Sequence, residues 1–442
     1  MSWRRMGAAL AATTLALILL PTQALASAKT PEPDRPHGRL LGTLQNQGGQ
    51  HVIESANTQR VSSTAEKCTP TAPGSVERRS GAARICTSLA PASAKSARAA
   101  TASRADLAAP SQVCTITDPG YWHFERLSVC LREMKVLFTL RGEQQQVVGS
   151  ANLYVSSSAT LNPRSGTWDE DLVVEAVDFT GQLTSVSVGI EVSCDSLCTA
   201  TNKSPWIGNR ALTNLGVATG RVSYSDAPAV GKEDRATVNY RMTMFQTGTA
   251  PATLPAVEWS NPRAIRCDSV LTGGSNTSTG CALPSVTPEM ELPLATYGAA
   301  AATYQWAQYT LSDGWGLYSG KPLTRALDGS ERRRYTCGDK TTLPFVPKPD
   351  SVPNDTCDEF PFASTHEGGT DGALCAEIVP LFENGVWQIY EADPARPVKG
   401  SEPCVRGHVP SSENSAAGGA YSAFIQNQRL VDKDPFHVSV AF

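Results

Sequence analysis

Three short stretches in the last ninety residues of this 442-residue chain are dense in side chains that packing alone does not call for. They are Cys357-Asp358-Glu359-Phe360-Pro361-Phe362-Ala363, Glu367-Gly368-Gly369, and Glu413-Asn414 followed by Ala417-Gly418-Gly419. Adjacent carboxylates on an extended strand point to opposite faces. Asp358 and Glu359 therefore do not make the facing acid and base of a glycosidase, whose carboxylates stand roughly 5 to 9 Å apart across the substrate. One of them serves a site and the other serves structure. An ordinary aspartate has a pKa of about 3.9 and is a weak base at neutral pH. A metal that acidifies bound water, or burial that raises the carboxylate, would close that gap. The plain alternative for Asp358 is a turn or cap residue.

Asn414 offers an amide oxygen, a hard donor suited to Mg²⁺, which keeps several waters and needs few protein ligands. Its competing role is the N-cap of the helical pattern formed by Ala417, Tyr421 and Phe424. His366 lies between two of the stretches and reads as a surface or supporting residue; His408 and His437 read as structural. Arg325 and the run Arg332-Arg333-Arg334 form a basic patch. Such a run is ordinarily a solvated face, but in an enzyme acting on a polyanion Arg325, Arg333 and Arg334 would clamp phosphate through bidentate hydrogen bonds.

The elements that must position these residues follow from periodicity. Ala300, Tyr304, Ala307 and Gln308 sit near helical spacing, with Gly314 beyond them, predicting a helix over Tyr297 to Tyr309. Asp432 to Val440 reads as a closing strand. Upstream, residues 111–255 alternate apolar and polar positions, as in Val186, Val188, Ile190 and Val192 or Val238, Tyr240, Met242 and Met244. Further strands are expected at Val136 to Leu140, Leu153 to Val155 and Leu172 to Val177, which together suggest an all-β, sandwich-like module. Residues 27–110 are rich in Ala, Ser, Thr and Arg and read as a disordered linker or pro-segment.

The first residues, with Arg4 and Arg5, an apolar run from Ala8 to Leu20 and Ala24-Leu25-Ala26, have the layout of a signal peptide at 1–26. Twelve cysteines then argue for an oxidising, extracellular location and a disulfide framework. Sequential pairing predicts Cys68–Cys86, Cys114–Cys130, Cys194–Cys198 and Cys267–Cys281, leaving Cys337, Cys357, Cys375 and Cys404 for the C-terminal domain. A formal net charge of −4 excludes a strongly basic, tight nucleic-acid binder but not an enzyme that must release a polyanionic product.

The order and spacing of the three stretches resemble the NucA/NucB family of secreted bacterial deoxyribonucleases, in which Asp-Glu-aromatic-Pro-apolar-Ala is followed by Glu-Gly-Gly and later by Asp/Glu-Asn-Arg-x-x-Gly. The resemblance covers about residues 256–442. It implies a small α+β domain of the ββα-metal type after the β-rich module, with Asp358 as general base, Asn414 as ligand of one divalent ion (Mg²⁺, or Mn²⁺ in its place) and Glu367 as a supporting residue. The family's arginine after the asparagine is Ser415 here, which puts in doubt any phosphate contact made from that position. The function expected is a secreted endonuclease hydrolysing DNA, with RNA left open, and with neither a stable membrane association nor an obligate protein partner. The alternative is a non-catalytic wall- or polysaccharide-binding protein whose nuclease-like domain has decayed.

Overall fold

The protein is described from a computed structural model over residues 38–46, 57–90, 118–249, 253–273 and 276–442. The signal peptide expected at 1–26 lies outside the described residues, and so does Cys114, with its pairing to Cys130.

The period-two segments form the strands expected of them. Ser185–Cys194 and Val238–Gln246 pair antiparallel with Tyr240 opposite Val192, Met242 opposite Ile190 and Met244 opposite Val188. This register puts the apolar residues of both strands on one face. Arg210–Thr213 and Ala256–Ser260 flank the pair in a four-stranded sheet. A nine-stranded sheet, whose long strands are Ser128–Arg141, Val147–Thr160 and Thr167–Gly181, shares one core with it, in which Phe138, Leu153 and Val174 join Ile190 and Met242. Residues beyond 255 belong to this same core, among them Val257, Trp259, Ile265, Leu283 and Val286.

Within 27–110, for which composition predicts no order, the described residues include four strands: Leu40–Thr43, Thr58–Arg60, Lys67–Pro70 and Arg84–Ala90. Averaging over the stretch hides Ile85 and Leu89, which Arg84–Ala90 buries by pairing with Ser128–Arg141. The Cys68–Cys86 disulfide staples Lys67–Pro70 to that strand.

A second core begins at Met290. Its five-stranded sheet runs Leu40–Thr43, Val386–Glu391, Ala376–Glu383, Val405–Pro410, Asp355–Phe360, so a strand from the beginning of the described chain closes one edge and the strand bearing Asp358 lies at the other. Glu289–Pro293 and Pro435–Ala441 pair in parallel nearby. Helices Leu294–Thr310 and Ser411–Asn427 pack on each other and on the Asp358 strand. Two glycines make this packing close. A Cβ on Gly407, which is cross-strand from Asp358, would lie 2.4 Å from Thr303 Oγ1. Gly298 has φ of +46° and kinks helix Leu294–Thr310, and a Cβ there would meet the Glu413 carboxylate at 2.3 Å.

Buried ion pairs tie the two cores together. Asp434 accepts from Arg126 at 2.5 Å and from Arg266 at 2.8 Å, while Asp268 accepts from Arg429 at 2.8 Å. Three guanidinium groups against two carboxylates leave surplus donors, and several of these go to backbone carbonyls, including Gln428 O, Leu283 O and Pro163 O. Such a cluster contributes little net stability, but removing one partner strands a buried charge and costs about 3–5 kcal/mol.

Candidate active site

Asp358 and Glu359 leave the edge strand on opposite sides, as strand geometry requires. Asp358 is buried on the helix side, where Tyr304 Oη donates to its Oδ2 at 2.6 Å and the Glu359 amide donates to Oδ1 at 2.9 Å. Burial raises the Asp358 pKa to about 6, against the opposing pull of the Tyr304 hydroxyl and the Arg333 charge. Tyr304 itself is packed edge-on to Phe362, 4.9 Å between ring centres, so its hydroxyl has little freedom. Asp358 is no turn or cap: it is the fourth residue of strand Asp355–Phe360.

On the other side Glu359 meets helix Gly329–Thr336 and the Cys337–Cys357 disulfide. Its Oε1 lies 3.4 Å from Arg333 Nη1 and its Oε2 lies 3.0 Å from Cys337 Sγ. Burial, reinforced by the neighbouring Asp358 charge and opposed by Arg333, raises its pKa to about 8. At neutral pH Glu359 therefore keeps its proton, which suits a carboxyl facing a sulfur that has none. Cys337, Cys357 and Glu359 place three potential ligand atoms within 4.8 Å of one another, but both sulfurs are spent in the disulfide, so the group is no metal site. The bridge anchors the residue immediately before Asp358.

Asn414 lies in the first turns of helix Ser411–Asn427 rather than ahead of it; Pro410 is the N-cap. Its Nδ2 donates to Thr356 Oγ1 at 3.1 Å and to Cys357 O at 3.0 Å. A carbonyl accepts only, so this contact fixes the amide orientation and leaves Oδ1 as the free end. Thr356 is two residues from Asp358 on the strand and shares its face, which brings Asn414 to the Asp358 side. Glu413, beside it, accepts from the Ala299 amide with Oε2 at 2.5 Å, holding the helix just past the Gly298 kink. Asn414 Oδ1 is thus the amide oxygen left on the Asp358 side of the strand.

The remaining expected residues lie elsewhere. Glu367 accepts from Thr324 N at 2.8 Å and from Thr324 Oγ1 at 2.6 Å, bracing a short strand. Arg333 donates to Cys357 O at 2.8 Å as well as facing Glu359, and remains half exposed. Arg334 is committed to Asp339 at 2.7 Å through two bonds and to Glu331 at 3.1 Å. The run looks like one patch in sequence, but a helix turns each successive side chain by about 100°, and the three guanidinium groups serve three different neighbours. Arg325 lies beyond the aromatic stack, its guanidinium 5.9 Å from the Tyr421 ring centre and bonded to Ser364 O at 3.1 Å. His366 pairs with Asp432 at 2.9 Å. His408 is buried between Asp355 and Glu377 at 2.6 and 3.2 Å, on the Cys357 side of the sheet.

Sequence reasoning missed Tyr304 as a partner of Asp358 and Glu413 as a helix brace. Tyr304 was visible only as one of several residues at helical spacing, and nothing in the sequence marks which of them faces the strand.

Comparison with known proteins agrees with the C-terminal resemblance. Residues 319–386 match the family described as Deoxyribonuclease NucA/NucB. The span contains Asp358, Glu359, Glu367 and the three arginines, and ends before Asn414. No curated protein and no solved structure matches the chain. The molecule is therefore mostly β with a C-terminal nuclease-family domain. That domain points to a hydrolase acting on DNA and suggests use of a divalent metal. Five disulfides among the described residues, and the absence among them of a helix long and apolar enough to cross a membrane, are compatible with a secreted protein.

Proposed function

We propose that the protein is a secreted, metal-dependent endonuclease that hydrolyses phosphodiester bonds of DNA, with a sandwich-like β module followed by a nuclease domain of the ββα-metal type. The observation that carries this reading is a buried carboxylate with a pKa near 6, held by a tyrosine hydroxyl, inside the matched family segment. A base of that strength is ionised at neutral pH yet takes a proton far more readily than an exposed aspartate.

In this scheme Asp358 is the general base that takes a proton from the attacking water. Tyr304 positions it, and the Cys337–Cys357 bridge together with the Arg333 bond to Cys357 O holds its backbone still. Glu359 stays protonated and positions Arg333, a supporting task rather than a share in the proton transfer. Glu367 fixes the segment after the motif. Asn414 Oδ1, with the Glu413 carboxylate next to it in sequence, would hold a hard cation such as Mg²⁺ or Mn²⁺, which needs few protein ligands. Such an ion, when bound, would stabilise negative charge developing on the phosphate and on the leaving oxygen. Arg325 and the exposed part of Arg333 are the guanidinium groups left to meet phosphate.

Plasmid nicking by the purified protein, with Mg²⁺ and with EDTA in excess, tests the reading. Chelator-sensitive conversion of supercoiled to nicked DNA is expected, with Asp358→Asn inactive. Equal nicking by Asp358→Asn would remove Asp358 from the role of base, and retention on cell-wall polysaccharide with no nicking at all would favour the non-catalytic alternative.

A further inference from the structure

A cleft of about 660 Å³ lies where the β-rich region meets helix Ser411–Asn427. Its lining includes Pro163, Arg164 and Ser278 from the first region and Arg325, Ser422 and Gln426 from the second. No Asp or Glu is among its lining residues. Arg429 also lines it, but its charge is answered by the buried Asp268. Arg164 and Arg325 are different: neither forms an ion pair among the described residues. Arg164 is exposed, and its guanidinium donates to the neutral Asn427 Oδ1 at 3.0 Å. Arg325 Nε is buried without an acceptor. Two guanidinium groups facing one acid-free cleft create a local positive potential in a chain whose net charge is negative.

The cleft is also built rather than incidental. Asn162 Oδ1 caps the Arg164 amide at 2.8 Å, and Arg429 Nη1 donates to Pro163 O at 2.8 Å, so the loop carrying Arg164 is fastened to the buried ion cluster. On the other wall, Arg325 lies against Tyr421, which contacts Phe362 at 5.1 Å between ring centres, and Phe362 in turn packs on Tyr304, the partner of Asp358. A run of three packed rings, Tyr421, Phe362 and Tyr304, thus connects the cleft wall to the candidate base.

We infer that this cleft is a phosphate-binding subsite for the nucleic-acid strand flanking the cut, and that the β-rich region contributes to it through Arg164. The inference rests on the nuclease reading and extends it: the upstream region takes part in gripping substrate. Contacts of this kind are made to the sugar-phosphate backbone, so they strengthen binding without regard to base sequence.

The test uses the full secreted protein in EDTA with two fluorescein-labelled DNA duplexes of unrelated sequence, and follows fluorescence anisotropy over a salt series. Arg164→Gln, which keeps a hydrogen-bonding side chain but removes the charge, is expected to weaken binding of both duplexes about threefold or more. It should also flatten the slope of log affinity against log salt by about 0.9. Arg164→Glu should weaken binding further. Arg241→Gln, on the opposite sheet where it pairs with Glu191 and Glu258, should bind as the wild type does. Wild-type affinity and slope in both Arg164 variants would overturn the inference, and so would a wild-type protein that binds neither duplex. In that last case, chelator-sensitive plasmid nicking decides the rest: if nicking persists only the subsite falls, and if it is absent the nuclease reading falls with it.

Discussion

The β-rich region and the C-terminal region each bury a carboxylate beneath tyrosine hydroxyls, and the contrast between them separates a structural acid from a candidate catalytic one. In the β-rich core Glu170 accepts from Tyr224 at 2.6 Å and from Tyr240 at 2.7 Å, one on each oxygen. Burial raises its pKa, as it does for Asp358. By burial and shift alone Glu170 would be as good a site marker. The surroundings differ. Both tyrosines of Glu170 stack on tryptophans of the core, Trp168 and Trp259, at 5.1 and 5.2 Å. Asp358 has a single tyrosine, on Oδ2, with the Glu359 amide on Oδ1, sits on an edge strand, and shares its face with Thr356, to which Asn414 donates. What separates the two carboxylates is their place: Asp358 lies on an edge strand inside the matched family segment, with its second oxygen held by a backbone amide, whereas Glu170 has a core tyrosine on each oxygen.

The largest difference expected between the two sites is in cleavage. Asp358→Asn should lose about a hundred- to ten-thousandfold in plasmid nicking, the range for removal of a general base, while Glu170→Gln stays within about twofold of the wild type. Loss of activity in Glu170→Gln with the fold intact by circular dichroism would erase the distinction.

Stability should move the opposite way. Native Asp358 binds its proton more tightly than the unfolded chain does, so its favourable contribution is complete below about pH 4 and is lost as pH rises through about 6. The shift from 3.8 to about 6 corresponds to on the order of 3 kcal/mol against folding at pH 8. Asp358→Asn, whose amide oxygen can still accept from Tyr304, should raise the urea midpoint at pH 8 and change it little at pH 4. Glu170→Ala should lower the midpoint at both, since it leaves two buried hydroxyls without acceptors at about 1–3 kcal/mol each.

Tyr304→Phe should slow cleavage about tenfold, the loss of one hydrogen bond to a charged group, and shift the pH dependence upward because that bond holds the Asp358 pKa down. The smallest effect belongs to Arg334→Ala. Its partners Asp339 and Glu331 are exposed, and nicking and thermal midpoint should both match the wild type; a clear loss of nicking would return Arg334 to the phosphate contacts.

Much of this was legible in the sequence because it is written locally. Alternation at Val186 to Val192 and Val238 to Met244 gave strands whose apolar faces meet in register. Helical spacing around Tyr304 gave a helix, and strand geometry alone separated Asp358 from Glu359. What escaped depends on distant partners. Leu40–Thr43 and Arg84–Ala90 are ordered by strands more than forty residues further along, in one case at Val386–Glu391. The arginines of 332–334 could not be told apart until helix Gly329–Thr336 distributed them. The Arg126, Arg266, Asp268, Arg429 and Asp434 cluster draws on three separate segments, none of which shows a charge pattern of its own.

The most direct test of the central claim is the pH dependence of DNA cleavage by the full protein at saturating Mg²⁺, measured for the wild type and for Tyr304→Phe. If ionised Asp358 is the base, the wild-type rate rises about tenfold per pH unit below about pH 6 and levels above it, and Tyr304→Phe moves the same curve to higher pH. A rate that is flat from pH 5 to 8, or a midpoint unmoved by loss of the Tyr304 hydroxyl, would contradict the assignment of Asp358.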